Sequence, residues 1–219
     1  MTTNKNVKDE ALLANSSVAI LAGGRSRRMG RDKAELSWGG VSWLEHTART
    51  AIGAASRVMV VGRRRPDGWP LEEVVFLDDA VPNSGPLGGL FTALKWLRDQ
   101  GQGHDRLLLL ACDMPLLETG GLRWLFRAAA QRQFHHGLAV QNGERIEPLF
   151  SIYSVACLPL IEQRLASVDK NPGRFSLNAF IEAADFQSIS APPQVAATLE
   201  NLNTREDLKN FSFNEGSEL

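Results

Sequence analysis

The feature that most constrains this chain is the apolar run Val18 to Ala22 and the segment that follows it. The run ends on Gly23-Gly24, and then come Arg25, Arg27, Arg28, a further glycine at Gly30, Arg31 and Lys33. A short continuous apolar run bounded by glycine reads as a buried strand. A buried strand that feeds a glycine-rich, cationic loop presents backbone N–H groups and positive charge to phosphates. Glycine suits such a loop because the backbone must come close to a ligand and glycine is free to take φ > 0. Two common phosphate motifs are excluded. Gly30 is followed by Arg31, Asp32, Lys33 and Ala34 rather than by Lys-Ser/Thr, and Gly23-Gly24 with Gly30 does not space as Gly-x-Gly-x-x-Gly.

Residues 21–33 do resemble the signature Leu-Ala-Gly-Gly-x-Ser-x-Arg-Met-Gly-x-Asp-Lys of the nucleotidyltransferase superfamily. More narrowly they are similar to the molybdenum cofactor guanylyltransferases, which join GMP to molybdopterin. Every fixed position matches: Leu21, Ala22, Gly23, Gly24, Ser26, Arg28, Met29, Gly30, Asp32 and Lys33. The resemblance extends over most of residues 18–208 and implies a three-layer α/β fold, with a mostly parallel, Rossmann-like sheet flanked by helices.

Composition agrees with one such unit. A chain of 219 residues with 43% apolar residues can bury a sizeable core as a single domain. We expect a nucleotidyltransferase domain over 17–210, between an N-terminal tail (1–16) and a C-terminal tail (211–219). The formal net charge of −1 argues against general nucleic-acid binding despite the local arginine cluster. Cys112 and Cys157 form no Cys-x-x-Cys pair, so neither a disulfide framework nor a zinc site is expected. The Ala-Leu-Leu-Ala patch near the start is too short for a signal-peptide core, and no run of about eighteen apolar residues exists. The expectation is a cytoplasmic enzyme without a membrane segment.

Taken in order, Ser37-Trp38-Gly39-Gly40 reads as a turn, and Trp43, Leu44, Ala48 and Ala51 recur at helical spacing over Val41–Ala51. Arg57–Val61 and Val74–Leu77 read as strands. Family members often carry a base-contacting asparagine after the first of these; here Gly62-Arg63 stands instead. Asp78-Asp79 then precedes Asn83-Ser84-Gly85-Pro86-Leu87-Gly88-Gly89, which resembles the family's second motif, with a helix expected from about Leu90 to Arg98. Leu107–Ala111 is the most apolar strand and is followed by Cys112-Asp113-Met114-Pro115, similar to the family's metal-binding motif.

Helices are expected over Gly121–Arg132, Val155–Val168 and Ser176–Ala184, with strands at Gly137–Val140, Glu144–Tyr153 and Phe186–Ile189. His135-His136 lacks ligand spacing and reads as solvated. Cys112 reads as a small strand residue, with no base evident to activate it. Glu147-Pro148-Leu149 resembles the segment that lines the acceptor side of the family's cleft, and Arg174 is a candidate to face the second substrate. Asn201-Leu202-Asn203-Thr204 with Asp207 matches a late family motif, in which Thr204 reads as a helix N-cap.

The resemblance thus implies nucleotide contacts at Leu21, Ala22, Gly23, Gly24, Lys33, Asp79, Gly85 and Asp113. It implies catalytic roles for Arg28, Lys33 and Asp113, and Mg²⁺ held by Asp113 and Asn203. A carboxylate past a strand end suits that ion, which takes hard oxygens from one or two carboxylates plus phosphates. The reaction implied is GMP transfer from GTP to the phosphate of molybdopterin with release of pyrophosphate. Transient contact with cofactor-delivery proteins and molybdoenzymes follows from that role. Alternatives are a cytidylyltransferase for the same cofactor, a sugar-phosphate nucleotidyltransferase, or a non-catalytic molybdopterin carrier. Gly23 is consistent with guanine, because a methyl there would crowd a purine set against the loop.

Overall fold

The apolar runs form the sheet. A computed structural model describes residues 15–23, 37–38, 40–101, 104–167 and 172–199. Its main sheet comprises β1 (Ser17–Leu21), β4 (Arg57–Val61), β5 (Val75–Leu77), β6 (Arg106–Ala111), β7 (Gly137–Asn142), β8 (Arg145–Ile146), β9 (Phe150–Ser154) and β10 (Phe186–Ser190). A separate two-stranded pair joins β2 (Ser37–Trp38) to β3 (Val41–Ser42). Across the main sheet the order is β10-β7-β9-β6-β1-β4-β5, with β8 beside β7. Neighbours run parallel except where β9 lies between β6 and β7, and where β8 returns along β7.

Alternate residues of the inner strands serve opposite layers. Val18, Ile20, Val58, Val60, Leu108 and Leu110 pack in one cluster, under α1 (Trp43–Ile52), α3 (Thr119–Ala130) and the short α6 (Pro193–Ala196). Ala19, Met59, Val61, Leu107 and Leu109 pack in the other, under α2 (Gly85–Asp99), α4 (Leu158–Ala166) and α5 (Leu177–Ala183). Strands buried on both faces read as unbroken apolar runs, which is why they are visible in the sequence. The expected three-layer, mostly parallel α/β fold is the fold observed.

Several boundaries differ from expectation. Helix α1 starts at Trp43 rather than Val41, because the Ser42 hydroxyl caps it by accepting the Glu45 N–H at 3.1 Å. Residues 37–38 and 41–42 pair as strands around the expected turn. Helix α2 begins at Gly85, five residues before Leu90, with proline in its first turn, where the missing N–H costs nothing. Helix α3 runs Thr119–Ala130 rather than Gly121–Arg132. The segment from Val155 divides into a 3₁₀ turn, Val155–Cys157, and then α4. The expected strand Glu144–Tyr153 is two pieces, β8 and β9, separated by a turn.

His136 is also corrected. Its ring Nδ1 accepts the Asp185 N–H at 3.2 Å, and its carbonyl accepts from the Ser154 N–H and the Cys157 thiol. It ties β7 to β10 and β9 instead of standing in solvent, whereas His135 is exposed.

Candidate active site

The strand order reverses at β1. From β1 the chain passes to β4 and β5 on one side, then crosses to β6 on the other. Open α/β sheets bind ligands at such a point, beyond the carboxyl ends of the strands. Here the ladder continues slightly past the strand ends and fixes what emerges. The Ala22 N–H donates to the Val61 carbonyl at 3.0 Å, the Cys112 N–H to Leu21 at 3.2 Å, and the Gly62 N–H to Leu77 at 2.9 Å. Gly23, Gly62, Asp79 and Asp113 therefore leave the sheet from one edge.

Three of these converge. A Cβ built on Gly23 would lie 3.1 Å from the Gly62 Cα, 3.2 Å from its carbonyl oxygen and 3.5 Å from Asp79 Oδ2. The two loops touch backbone to backbone, with the Asp79 carboxylate beside them. A methyl at position 23 thus meets the protein itself first. Partial burial raises the Asp79 carboxyl above its ordinary value, and the Asp78 charge adds to that rise. The next residue is clipped in place: the Ala80 N–H donates to Thr92 Oγ1 at 3.0 Å, and that hydroxyl donates to the Gly88 carbonyl at 2.9 Å.

Gly85 opens α2, whose first turns lie against the end of β1. A Cβ on Gly89 would fall 2.7 Å from Leu21 Cδ2, so glycine lets this helix close on this strand without displacing that leucine. Across the opening, Phe175 in the 3₁₀ turn Pro172–Phe175 approaches Gly85, 3.6 Å from where its Cβ would be. The N-terminus of a helix, with its unpaired N–H groups, favours negative charge.

Asp113 is half-buried directly after β6, next to the buried Cys112. Among the described residues no group of three or more His, Cys, Asp or Glu side chains could hold a metal ion. A carboxylate at a strand end is the kind of hard oxygen ligand Mg²⁺ takes, usually together with substrate phosphates.

Further along the same edge the turn Glu147-Pro148-Leu149 is held from inside the sheet. The Ser151 hydroxyl donates to the Glu147 carbonyl at 2.7 Å and accepts the Val140 N–H at 3.0 Å. The fully buried Tyr153 donates its hydroxyl to the Pro148 carbonyl at 2.8 Å. This turn borders a cavity of about 360 Å³ shared with Arg145, Asn178 and Glu182. Burial raises the Glu147 carboxyl above its ordinary value, against the opposing pull of Arg145.

Of the residues expected from the sequence, Leu21, Ala22, Gly23, Asp79, Gly85 and Asp113 are brought to one sheet edge. Gly24, Arg28, Lys33 and Asn203 lie outside the described residues, as does Thr204. Sequence reasoning missed Gly62, Thr92, Ser151 and Tyr153. A glycine directly after a buried strand was the available signal for Gly62; nothing local marks the other three. Arg63 lines a cleft along β5 with Arg64, Arg65 and Asp78. In that group Arg65 is occupied by the Val74 carbonyl and the Phe76 ring.

The chain is similar to known proteins along nearly its whole length. The family model described as MobA-like NTP transferase domain matches residues 18–183. The molybdenum cofactor guanylyltransferase of Pseudomonas entomophila is 32% identical over 166 residues, 74% of this chain and 83% of that protein. That of Pseudomonas fluorescens is 31% identical over 198 residues, 90% of this chain and 93% of that one. Among solved structures, the molybdopterin-guanine dinucleotide biosynthesis protein A of Archaeoglobus fulgidus superposes with a TM-score of 0.72 at 20% identity, covering 91% of this chain and 98% of that one, a likeness of fold. With the phosphate-loop signature, the reversal of strand order at β1 and relatives of this closeness, the chain belongs to the MobA-like NTP transferase family, among the molybdenum cofactor guanylyltransferases.

Proposed function

We propose that this nucleotidyltransferase transfers GMP from GTP to the phosphate of molybdopterin, and that the carboxyl edge of β1, β4, β5 and β6 is where it does so. The observation that carries the reading is the meeting of Gly23, Gly62 and Asp79 at the carboxyl edge where the strand order reverses, the edge on which Asp113 also emerges. Asp79 reads guanine by accepting its adjacent N1–H and N2–H donors. The acceptor lies toward Glu147–Leu149, as the family resemblance implies. We read residues 17–210 as one domain acting in the cytoplasm.

The molybdopterin phosphate attacks the α-phosphorus of GTP in line; the new P–O bond forms as the bond to the bridging oxygen breaks, and pyrophosphate leaves with that electron pair. A phosphate monoester is already anionic at neutral pH, so the chain supplies position and charge rather than a strong base. Lys33 and Arg28 neutralise the triphosphate, and Gly23 and Gly24 bring backbone close to it. Asp113, a hard carboxylate at the strand end, fits as the holder of a divalent metal, which we take to be Mg²⁺, with Asn203 as its second ligand. Such an ion, when bound, lowers the negative charge felt at the phosphate oxygens and eases departure of pyrophosphate.

The test is thermal shift with GTP, CTP, ATP and UTP, each with and without Mg²⁺, followed by product analysis with molybdopterin. Ligands that bind only the folded protein raise its apparent stability according to their concentration over Kd. A selective, Mg²⁺-enhanced GTP shift and formation of the guanine dinucleotide are expected. Preference for CTP transfers the assignment to the cytidylyl branch, and no shift with any nucleotide overturns the reading.

A further inference from the structure

We infer that Gly62 is a positioning residue for base selection: by carrying no side chain it lets the loop after β4 rest directly on Gly23, and so holds the Asp79 carboxylate in register with the base. This rests on the reading of the cleft given above and extends it to a residue that never touches the base through a side chain.

The geometry is specific to position 62. Gly62 sits at φ +84, and a Cβ built there would lie 2.9 Å from the Gly23 Cα, 3.1 Å from the Gly23 nitrogen and 3.2 Å from Asp79 Oδ2. Real Cβ atoms do not approach backbone that closely, and two of the three neighbours are backbone atoms with no rotamer to yield. The third is the carboxylate proposed to read guanine. Gly62 is at the same time pinned to the neighbouring strand, since its N–H donates to the Leu77 carbonyl at 2.9 Å, two residues before Asp79. A side chain here has two ways out: it lifts the loop from Gly23, or it pushes Asp79 outward.

Positive φ alone does not explain the glycine's importance. Gly68 has φ +70 with nothing within 4 Å of its would-be Cβ. The two positions share the conformational demand and differ in the contact, which makes Gly68 an internal control.

Discrimination by paired hydrogen bonds is sensitive to such displacement. A site built to accept from two adjacent N–H groups rejects a base lacking them, because the acceptor is then left unmatched by the ligand. Moving Oδ2 by a few tenths of an ångström weakens the bonds to the correct base and costs an incorrect base nothing. Asp113, proposed to hold the metal, follows β6 on the other side of β1.

The experiment compares wild type, Gly62→Ala and Gly68→Ala by steady-state kinetics and by calorimetric Kd for GTP and ATP, with thermal melting as a check of folding. The expected result is that Gly62→Ala raises KM and Kd for GTP about tenfold, shrinks the GTP-over-ATP preference by a similar factor and leaves kcat within about threefold. Gly68→Ala loses some stability and keeps wild-type preference. If Gly62→Ala does not fold, Gly23→Ala approaches the same contact from the other side at 3.1–3.2 Å and is read by the GTP-over-ATP preference alone, because Gly23 also lies at the proposed nucleotide site. Wild-type preference in a folded variant of this pair overturns the inference while leaving the guanylyltransferase reading intact. Absence of any GTP preference in the wild type overturns the reading itself, and the inference with it.

Discussion

Thr92 and Ala80 are joined across the opening of α2: the Thr92 hydroxyl takes the Ala80 N–H at 3.0 Å while giving its own proton to the Gly88 carbonyl at 2.9 Å. One buried side chain of the helix thereby sets the loop that carries Asp79. Thr92→Val keeps the shape and removes both bonds, leaving the Ala80 N–H unmatched. We expect a loss of about 1–2 kcal/mol in stability by denaturant titration. Weaker GTP binding should accompany it, with kcat little changed. A variant with unaltered GTP affinity would disconnect this clip from the site.

Acidity should separate Asp79 from an ordinary aspartate. Its carboxyl lies above the usual 3.8 in the folded protein, through burial first and Asp78 second. The ionised form is therefore penalised by folding at neutral pH. That penalty fades as pH falls through the raised value and is gone below the unfolded one. Acceptance of guanine N–H groups needs the carboxylate, so GTP affinity should begin to fall at a pH above the ordinary aspartate range. Asp78→Asn removes one cause of the rise and should move that acid limb downward. A limb unchanged by Asp78→Asn, in Kd measured across pH, contradicts the assignment.

Asp113→Ala and Lys33→Ala should each lose most turnover while melting near wild type. Titration with Mg²⁺ should show saturable stimulation of wild type, and a much weaker response in Asp113→Ala. Near-normal activity in either purified variant removes that residue from the proposed machinery.

The acceptor-side turn offers an independent check. Tyr153→Phe deletes the bond to the Pro148 carbonyl and should cost about 1 kcal/mol, while Ser151→Ala strands both Val140 N–H and Glu147 carbonyl and should cost about 1–3 kcal/mol. Both should raise KM for molybdopterin more than KM for GTP. The reverse order would place the acceptor elsewhere.

Cys157 should be silent. Burial pushes its thiol up to about 12, and the sulfur donates to the His136 carbonyl. Native protein at pH 8 should show no alkylation at this residue by mass spectrometry, and full alkylation after unfolding.

The strands and layers were legible because β1, β4 and β6 are covered on both faces and so carry unbroken apolar runs. Asp79, Gly85 and Asp113 were legible because their segments resemble family motifs; that they stand past β5, at the start of α2 and past β6 is what the fold adds. The start of α2 was hidden, since Gly85-Pro86-Leu87-Gly88-Gly89 has little intrinsic helical preference and is held by packing on Leu21. Gly62 was hidden for a different reason. What makes it matter is contact with Gly23, a partner far away in the chain, and no local pattern encodes that. The same holds for Tyr153 and Ser151, whose alternation announces a strand but not the carbonyls their hydroxyls reach.

Strand β9 runs against its neighbours, so Phe150 stands at the ligand edge opposite Leu110, and Ser154 at the far edge opposite Arg106. The turn before it is thus spliced between two strands that are themselves fastened inside the sheet, and its clamps travel on β9. Residues 143–149 behave as a cassette. A change of length in this turn need not disturb β1, β4 and β5, which lie across β6 from it.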